Sequence, residues 1–80
     1  METIFLQMIE KWGSPIVART EVAPFSGGLL NEKTMANSDS AGLGCPGRFR
    51  IGRKVVYPTK NLAEWLESRS AVIPERHPAK

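Results

Sequence analysis

The stretch Arg48-Phe49-Arg50-Ile51-Gly52-Arg53-Lys54-Val55-Val56-Tyr57 constrains the fold more than any other part of the chain. Phe49 and Ile51 alternate with Arg48 and Arg50, so an extended backbone would place the two pairs on opposite faces. A period of two predicts a β-strand with one face buried and one wet. Gly52-Arg53 then reads as a two-residue turn, because Gly supplies the backbone freedom that a tight hairpin demands. The return strand runs through Val55, Val56 and Tyr57 and is closed by Pro58. The wet face is wholly cationic, so this hairpin would push a small positive finger into solvent.

Eighty residues leave room for one domain with a modest core. A cleft between two lobes or a doubly wound nucleotide fold does not fit in that length. A hydrophobic content of 41% with 24% charged residues indicates a soluble globular domain rather than a disordered chain. The net charge of +3 is unevenly spread. From Ser40 to Ala63 the chain carries Arg48, Arg50, Arg53, Lys54 and Lys60 and no acid, while the remainder holds six basic and eight acidic residues. Charge concentrated in this way suits a phosphate-binding face. The plainer reading is a solvated basic surface that only aids solubility.

Cys45 is the single cysteine, which leaves no intramolecular disulfide and no reason to infer an oxidising compartment. One Cys and one His cannot build a zinc site, and no cofactor is expected. An acid at position 2 and a short apolar run speak against a signal peptide. No segment approaches the roughly 20 apolar residues of a membrane span. The expectation is a cytoplasmic, nucleoid-associated protein with no membrane contact.

Along the chain, Ile4, Phe5, Met8, Ile9 and Trp12 form an amphipathic stripe that predicts a helix over Glu2 to Trp12, stopped by Gly13-Ser14-Pro15. That stripe either packs on the domain or meets a second copy of the chain. After an extended piece at Ile16-Val17, Thr20 is positioned to cap a helix from Glu21, with Val22, Ala23 and Phe25 inward. Gly27-Gly28 ends it. Leu29-Leu30 packs ahead of a third helix from Glu32 to Ser40, capped by Asn31 and anchored by Met35. Two short helices joined by a glycine-containing connection make a helix-turn-helix. Thr59 is placed to cap a last helix, with Leu62, Trp65 and Leu66 facing the core. The composition beyond Ser70 predicts a loose tail. The expected organisation is thus an N-terminal helix at 1–13, a domain at 14–69 and a tail at 70–80.

Two apparent motifs dissolve on inspection. Gly42-Leu43-Gly44-Cys45-Pro46-Gly47 matches G-x-G-x-x-G, but a helix precedes it and a strand follows, the reverse of what pyrophosphate binding needs. Ser38, Asp39 and His77 do not make a triad, because His77 lies in the tail. Cys45 has arginines nearby that would lower its pKa, yet a lone thiol without a base is an ordinary loop residue. The chain reads as a non-enzyme. On the third helix, Met35 faces inward and leaves Asn31, Lys33, Thr34, Ala36 and Asn37 for the outer face. Asn suits bidentate contact to adenine, and Lys meets guanine or phosphate.

With Thr20-Glu21-Val22-Ala23, Asn31-Glu32-Lys33-Thr34-Met35, the run from Gly42 to Tyr57 and Asn61-Leu62-Ala63-Glu64-Trp65-Leu66 in order, the chain resembles the excisionase/AlpA-like winged helix-turn-helix family of the MerR superfamily. The resemblance covers roughly Arg19 to Ser68. It departs from that family in the glycine-rich connection Ser26 to Leu30, in Ser38 where a bulky Trp or Leu is common, and in the added N-terminal helix.

The resemblance implies an α+β, mostly helical fold: a small winged helix-turn-helix with a two-stranded β-hairpin wing. It implies that the helix from Asn31 reads the major groove of double-stranded DNA, while Gly52-Arg53-Lys54 contacts the backbone or minor groove. The DNA-binding set is then Asn31, Lys33, Thr34, Ala36, Asn37, Arg48, Arg50, Arg53, Lys54 and Lys60. The expected function is a phage or mobile-element excisionase (a recombination directionality factor) or a transcriptional regulator. An integrase or recombinase would be its partner, and a homodimer or cooperative array would add affinity. The alternatives are a winged-helix protein-interaction adaptor and a small terminase subunit for DNA packaging.

Overall fold

The computed structural model of the chain describes residues 3–71 and residue 73. Its first element, α1 (Thr3–Trp12), follows the apolar stripe. Phe5, Met8, Ile9 and Trp12 pack against the core, so this face meets its own domain. Ile4, expected in the stripe, is 59% exposed because it falls to the side of the buried face. Trp12 meets Phe25 edge to face with ring centroids 5.6 Å apart. Its indole N–H donates to the Ile16 carbonyl at 2.9 Å, which gives the half-buried ring's polar tip a partner.

Ile16-Val17 is extended as expected, but it does more than connect. β1 (Ile16–Ala18), β2 (Phe49–Ile51) and β3 (Lys54–Pro58) form one antiparallel sheet in the order β1-β3-β2. The expected two-stranded hairpin is therefore two thirds of a three-stranded sheet. Val17 pairs with Tyr57, and Phe49 pairs with Val56. Pairing of Ile51 with Lys54 leaves Gly52-Arg53 as the turn, with Gly52 at φ 63°, where a side chain would be strained.

The hairpin's burial differs from the expected alternation. Phe49 and Ile51 are 44% and 54% exposed, and all of β2 is exposed. The register sets Phe49 and Ile51 on the face of Val56, opposite the face on which Val17, Val55 and Tyr57 meet the core, so the apolar pair is turned away from it. The core side of the sheet is supplied by Val17 and Tyr57, while Val56 is buried on the opposite face, beside Phe49.

The expected helix from Glu21 shrinks to a single tight turn, Arg19–Glu21, followed by α2 (Val22–Phe25). Neither Thr20 nor Glu21 caps it through its side chain. Pro24 lacks a backbone donor, and Gly27-Gly28 follows at once, so no longer helix can form. Val22 and Phe25 are buried and Ala23 is half-buried, as expected. Ser26 ties the connection together: its hydroxyl donates to Val22 O at 2.6 Å and accepts from Leu30 N at 2.9 Å. Leu30 is buried, but Leu29 is 72% exposed rather than packed.

α3 (Glu32–Ser40) has the expected bounds, with Met35 buried and Asn31 Oδ1 accepting from Thr34 N at 2.8 Å. α4 (Thr59–Ser68) buries Leu62, Ala63, Trp65 and Leu66. Thr59 does not cap it. Pro58 holds that position, and Thr59 instead donates its N–H to Pro15 O at 2.8 Å and its hydroxyl to Ser14 O at 2.6 Å. Of the expected tail, Ser70, Ala71 and Ile73 are exposed and the rest lies outside the described residues. No helix among the described residues is long and apolar enough to cross a membrane.

Candidate nucleic-acid interface

The packing of α3 beside the hairpin leaves a channel between them. Its first part, a cleft of about 430 Å³, has Ala36, Asp39 and Ser40 of α3 on one wall and Arg48, Phe49 and Arg50 on the other. A second cleft of about 230 Å³ continues it, with Glu32 and Thr20 facing Arg53 and Lys54. Arg19 and Val55 border both.

Arg19 and Asp39 also belong to a polar cluster that reaches into the core. Tyr57 is fully buried in β3, and a buried phenol needs a partner. Its hydroxyl donates to Asp39 Oδ2 at 2.9 Å and accepts from Arg19 Nε at 3.0 Å. Arg19 Nη2 donates to the same Asp39 oxygen, closing a three-membered ring of contacts. Asp39 Oδ1 is buried and accepts no hydrogen bond. Arg48 Nε lies 3.5 Å from it, close enough to offset the charge but without hydrogen-bond geometry. Arg48 also donates through Nη1 to Cys45 O at 3.2 Å.

The electrostatics follow from these contacts. The Arg19 pKa is raised, chiefly by the hydrogen bond to Tyr57 and further by Asp39, against an opposing desolvation cost. Burial is the main cause that raises the Tyr57 pKa, and the bond to Asp39 adds to it. Cys45 corrects an expectation. It is the loop residue expected but fully buried, and burial pushes its pKa up to about 11, with Asp39 adding and Arg48 opposing. The nearby arginines do not win.

The structure sorts the expected site residues into groups. Ala36, Arg48, Arg50, Arg53 and Lys54 border the channel together. Lys33 and Asn37 are exposed one helical turn apart on α3, and neither borders the two clefts. Asn31 is exposed, but its side-chain oxygen is committed to the Thr34 N–H. Thr34 itself lies on the other flank of α3, in a groove with Leu29, Ser38 and Trp65. Lys60 is exposed on the first turn of α4 and borders neither cleft.

Arg19, Asp39 and Tyr57 were not among the expected site residues. One signal was present for them: a single phenol inside an otherwise apolar strand must find a polar partner somewhere. The chain matches no protein-family model, and neither the curated proteins nor the solved structures yield a protein similar to it.

Proposed function

We propose that the chain is a sequence-specific double-stranded DNA-binding protein of winged helix-turn-helix type, acting in excision of a mobile element or in transcriptional regulation. The observation that carries this reading is the shared channel: α3 and the hairpin flank it, and Arg19, Arg48, Arg50, Arg53 and Lys54 border it. Contacts from these cations to phosphates would supply salt-dependent affinity, and the exposed Lys33 and Asn37 of α3 would read base edges. Glu32 and Asp39 temper the positive charge locally and so limit indiscriminate binding.

A selection from random duplexes followed by footprinting tests this. Asn37→Ala should change the preference among selected sites by roughly 1–3 kcal/mol at one position. Failure to enrich or bind any duplex at low salt would refute the DNA reading. A uniform loss across all sites would remove Asn37 from base recognition. The adaptor reading has one observation in its favour: Ile4 and Leu6 of α1 are 59% and 48% exposed. Co-purification of a partner without any shift of DNA fragments would support it.

A further inference from the structure

We propose that the cleft between α3 and β2 is a binding site for the oxygens of a phosphate group, gripped by Arg19, Arg48 and Arg50 and held in shape by Asp39, which lines the same cleft. The site stands on its own geometry, and only the source of the phosphate, a DNA backbone, rests on the function proposed above.

Three guanidiniums line one cleft against a single carboxylate, so the cleft keeps a positive excess. An Arg side chain carries five N–H donors in a planar fork that matches the oxygens of a phosphate. Arg19 commits Nε to Tyr57 and Nη2 to Asp39, and Arg48 commits Nη1 to Cys45 O. Their remaining N–H groups are not used in these bonds. Arg50 makes no hydrogen bond or ion pair among the described residues. Ser40 borders the same cleft.

Preorganisation distinguishes this cleft from a loose basic surface. The side chains of Arg19 and Arg48 are 25% and 38% exposed, each fixed at its inner end by a buried acceptor. Guanidiniums already held in place lose little freedom when a ligand arrives. Asp39 therefore acts as a positioning residue: its charge opposes an anion, but its contacts aim two of the three cations. The carbonyl end of α3 also opens here and opposes an anion. Free phosphate should accordingly bind only in the ~1 mM range, a weak affinity of about 4 kcal/mol. A phosphate delivered as part of a duplex gains from the other contacts.

The test uses the isotope-labelled full chain, titrated with inorganic phosphate against sodium chloride at matched ionic strength. Phosphate should shift the Arg19, Arg48 and Arg50 Nε–Hε resonances and the Ala36 and Ser40 amides saturably, and chloride should not. Arg50→Gln, at an exposed and unpaired position, should weaken phosphate binding about fivefold and lower the duplex salt slope by about 0.9. Arg48→Lys keeps the charge but loses the fork, and should weaken it similarly.

Asp39→Asn should weaken phosphate binding about threefold even though a negative charge has gone. Tighter binding by that variant would overturn the positioning role. Shifts no larger than those from chloride, or shifts indifferent to Arg50→Gln, would overturn the site. If duplexes still bind in that case, the DNA reading survives its loss. If phosphate binds as expected but no duplex does, the site stands with a free phosphate compound as its source, and the DNA reading falls.

Discussion

Replacing Tyr57 by Phe removes one hydroxyl and leaves the packed ring in place. Tyr57 is fully buried, and its oxygen stands between Arg19 Nε at 3.0 Å and Asp39 Oδ2 at 2.9 Å. Hydrogen bonds to charged groups contribute about 1.5–3 kcal/mol each, so an upper figure for two is about 6 kcal/mol. The net loss is smaller, because Asp39 Oδ2 keeps its bond from Arg19 Nη2 and the Arg19 side chain, 25% exposed, turns its freed donor to water. Phe also spares the cost of burying a hydroxyl. We expect a loss of about 1.5–2 kcal/mol, which for a domain of this size lowers Tm by about 6–16 °C. Urea unfolding followed by circular dichroism should show a lower midpoint with an unchanged m-value. The variant should also differ at alkaline pH. Folding raises the Tyr57 pKa above its ordinary 10.0, so the proton is held more tightly in the folded state. Wild-type stability is then whole below pH 10 and drains as pH rises through the higher folded value. The phenyl ring of the variant cannot titrate, so the share of that decline due to Tyr57 should vanish. A stability change under about 0.5 kcal/mol, with identical alkaline profiles, would refute the claim that the hydroxyl binds the cluster together.

Cys45 titrates at about 11 in the fold against an ordinary 9.0, so stability should fall by about 2 kcal/mol between those pH values. Cys45→Ala should flatten that decline, and the wild-type thiol should resist alkylation at pH 8. Arg53→Ala with Lys54→Ala at the hairpin turn should weaken binding to all duplexes alike and reduce the salt slope by about 1–2, measured by anisotropy across salt concentrations. Gly44→Ala should cost about 2 kcal/mol or more in urea unfolding, because a Cβ there would collide with the Asp39 carboxylate and crowd its Cα at 3.0 Å. That glycine is required by close approach, not by an unusual backbone angle.

The elements legible in the sequence are those whose signal is local. The stripe of α1, the Asn31 cap with Met35 four residues on, the Gly52-Arg53 turn and the Leu62-Trp65-Leu66 face are each decided within a few residues. What was not legible depends on partners far along the chain. Ile16–Ala18 has no alternation long enough to declare a strand, and it becomes one because β3 offers a free edge. Phe49 and Ile51 look like a buried pair until the register turns them to the face opposite Val17 and Tyr57. The basic residues of the site stood out as a charge cluster, but the Arg19–Asp39–Tyr57 cluster joins three separate elements. No spacing rule links positions so distant.

The hairpin is less like a finger than like the blade of a fixed wrench. Its inner strand β3 is bonded to β1 on the far side and runs directly into α4, where Thr59 grips Pro15 and Ser14. Swinging the blade about its base would shear those bonds, so the angle between it and α3 is built in. A double helix seated against both would have to yield instead, at an elastic cost of about 1–6 kcal/mol for a substantial bend. Pliant base steps would then be preferred even where no side chain reaches them.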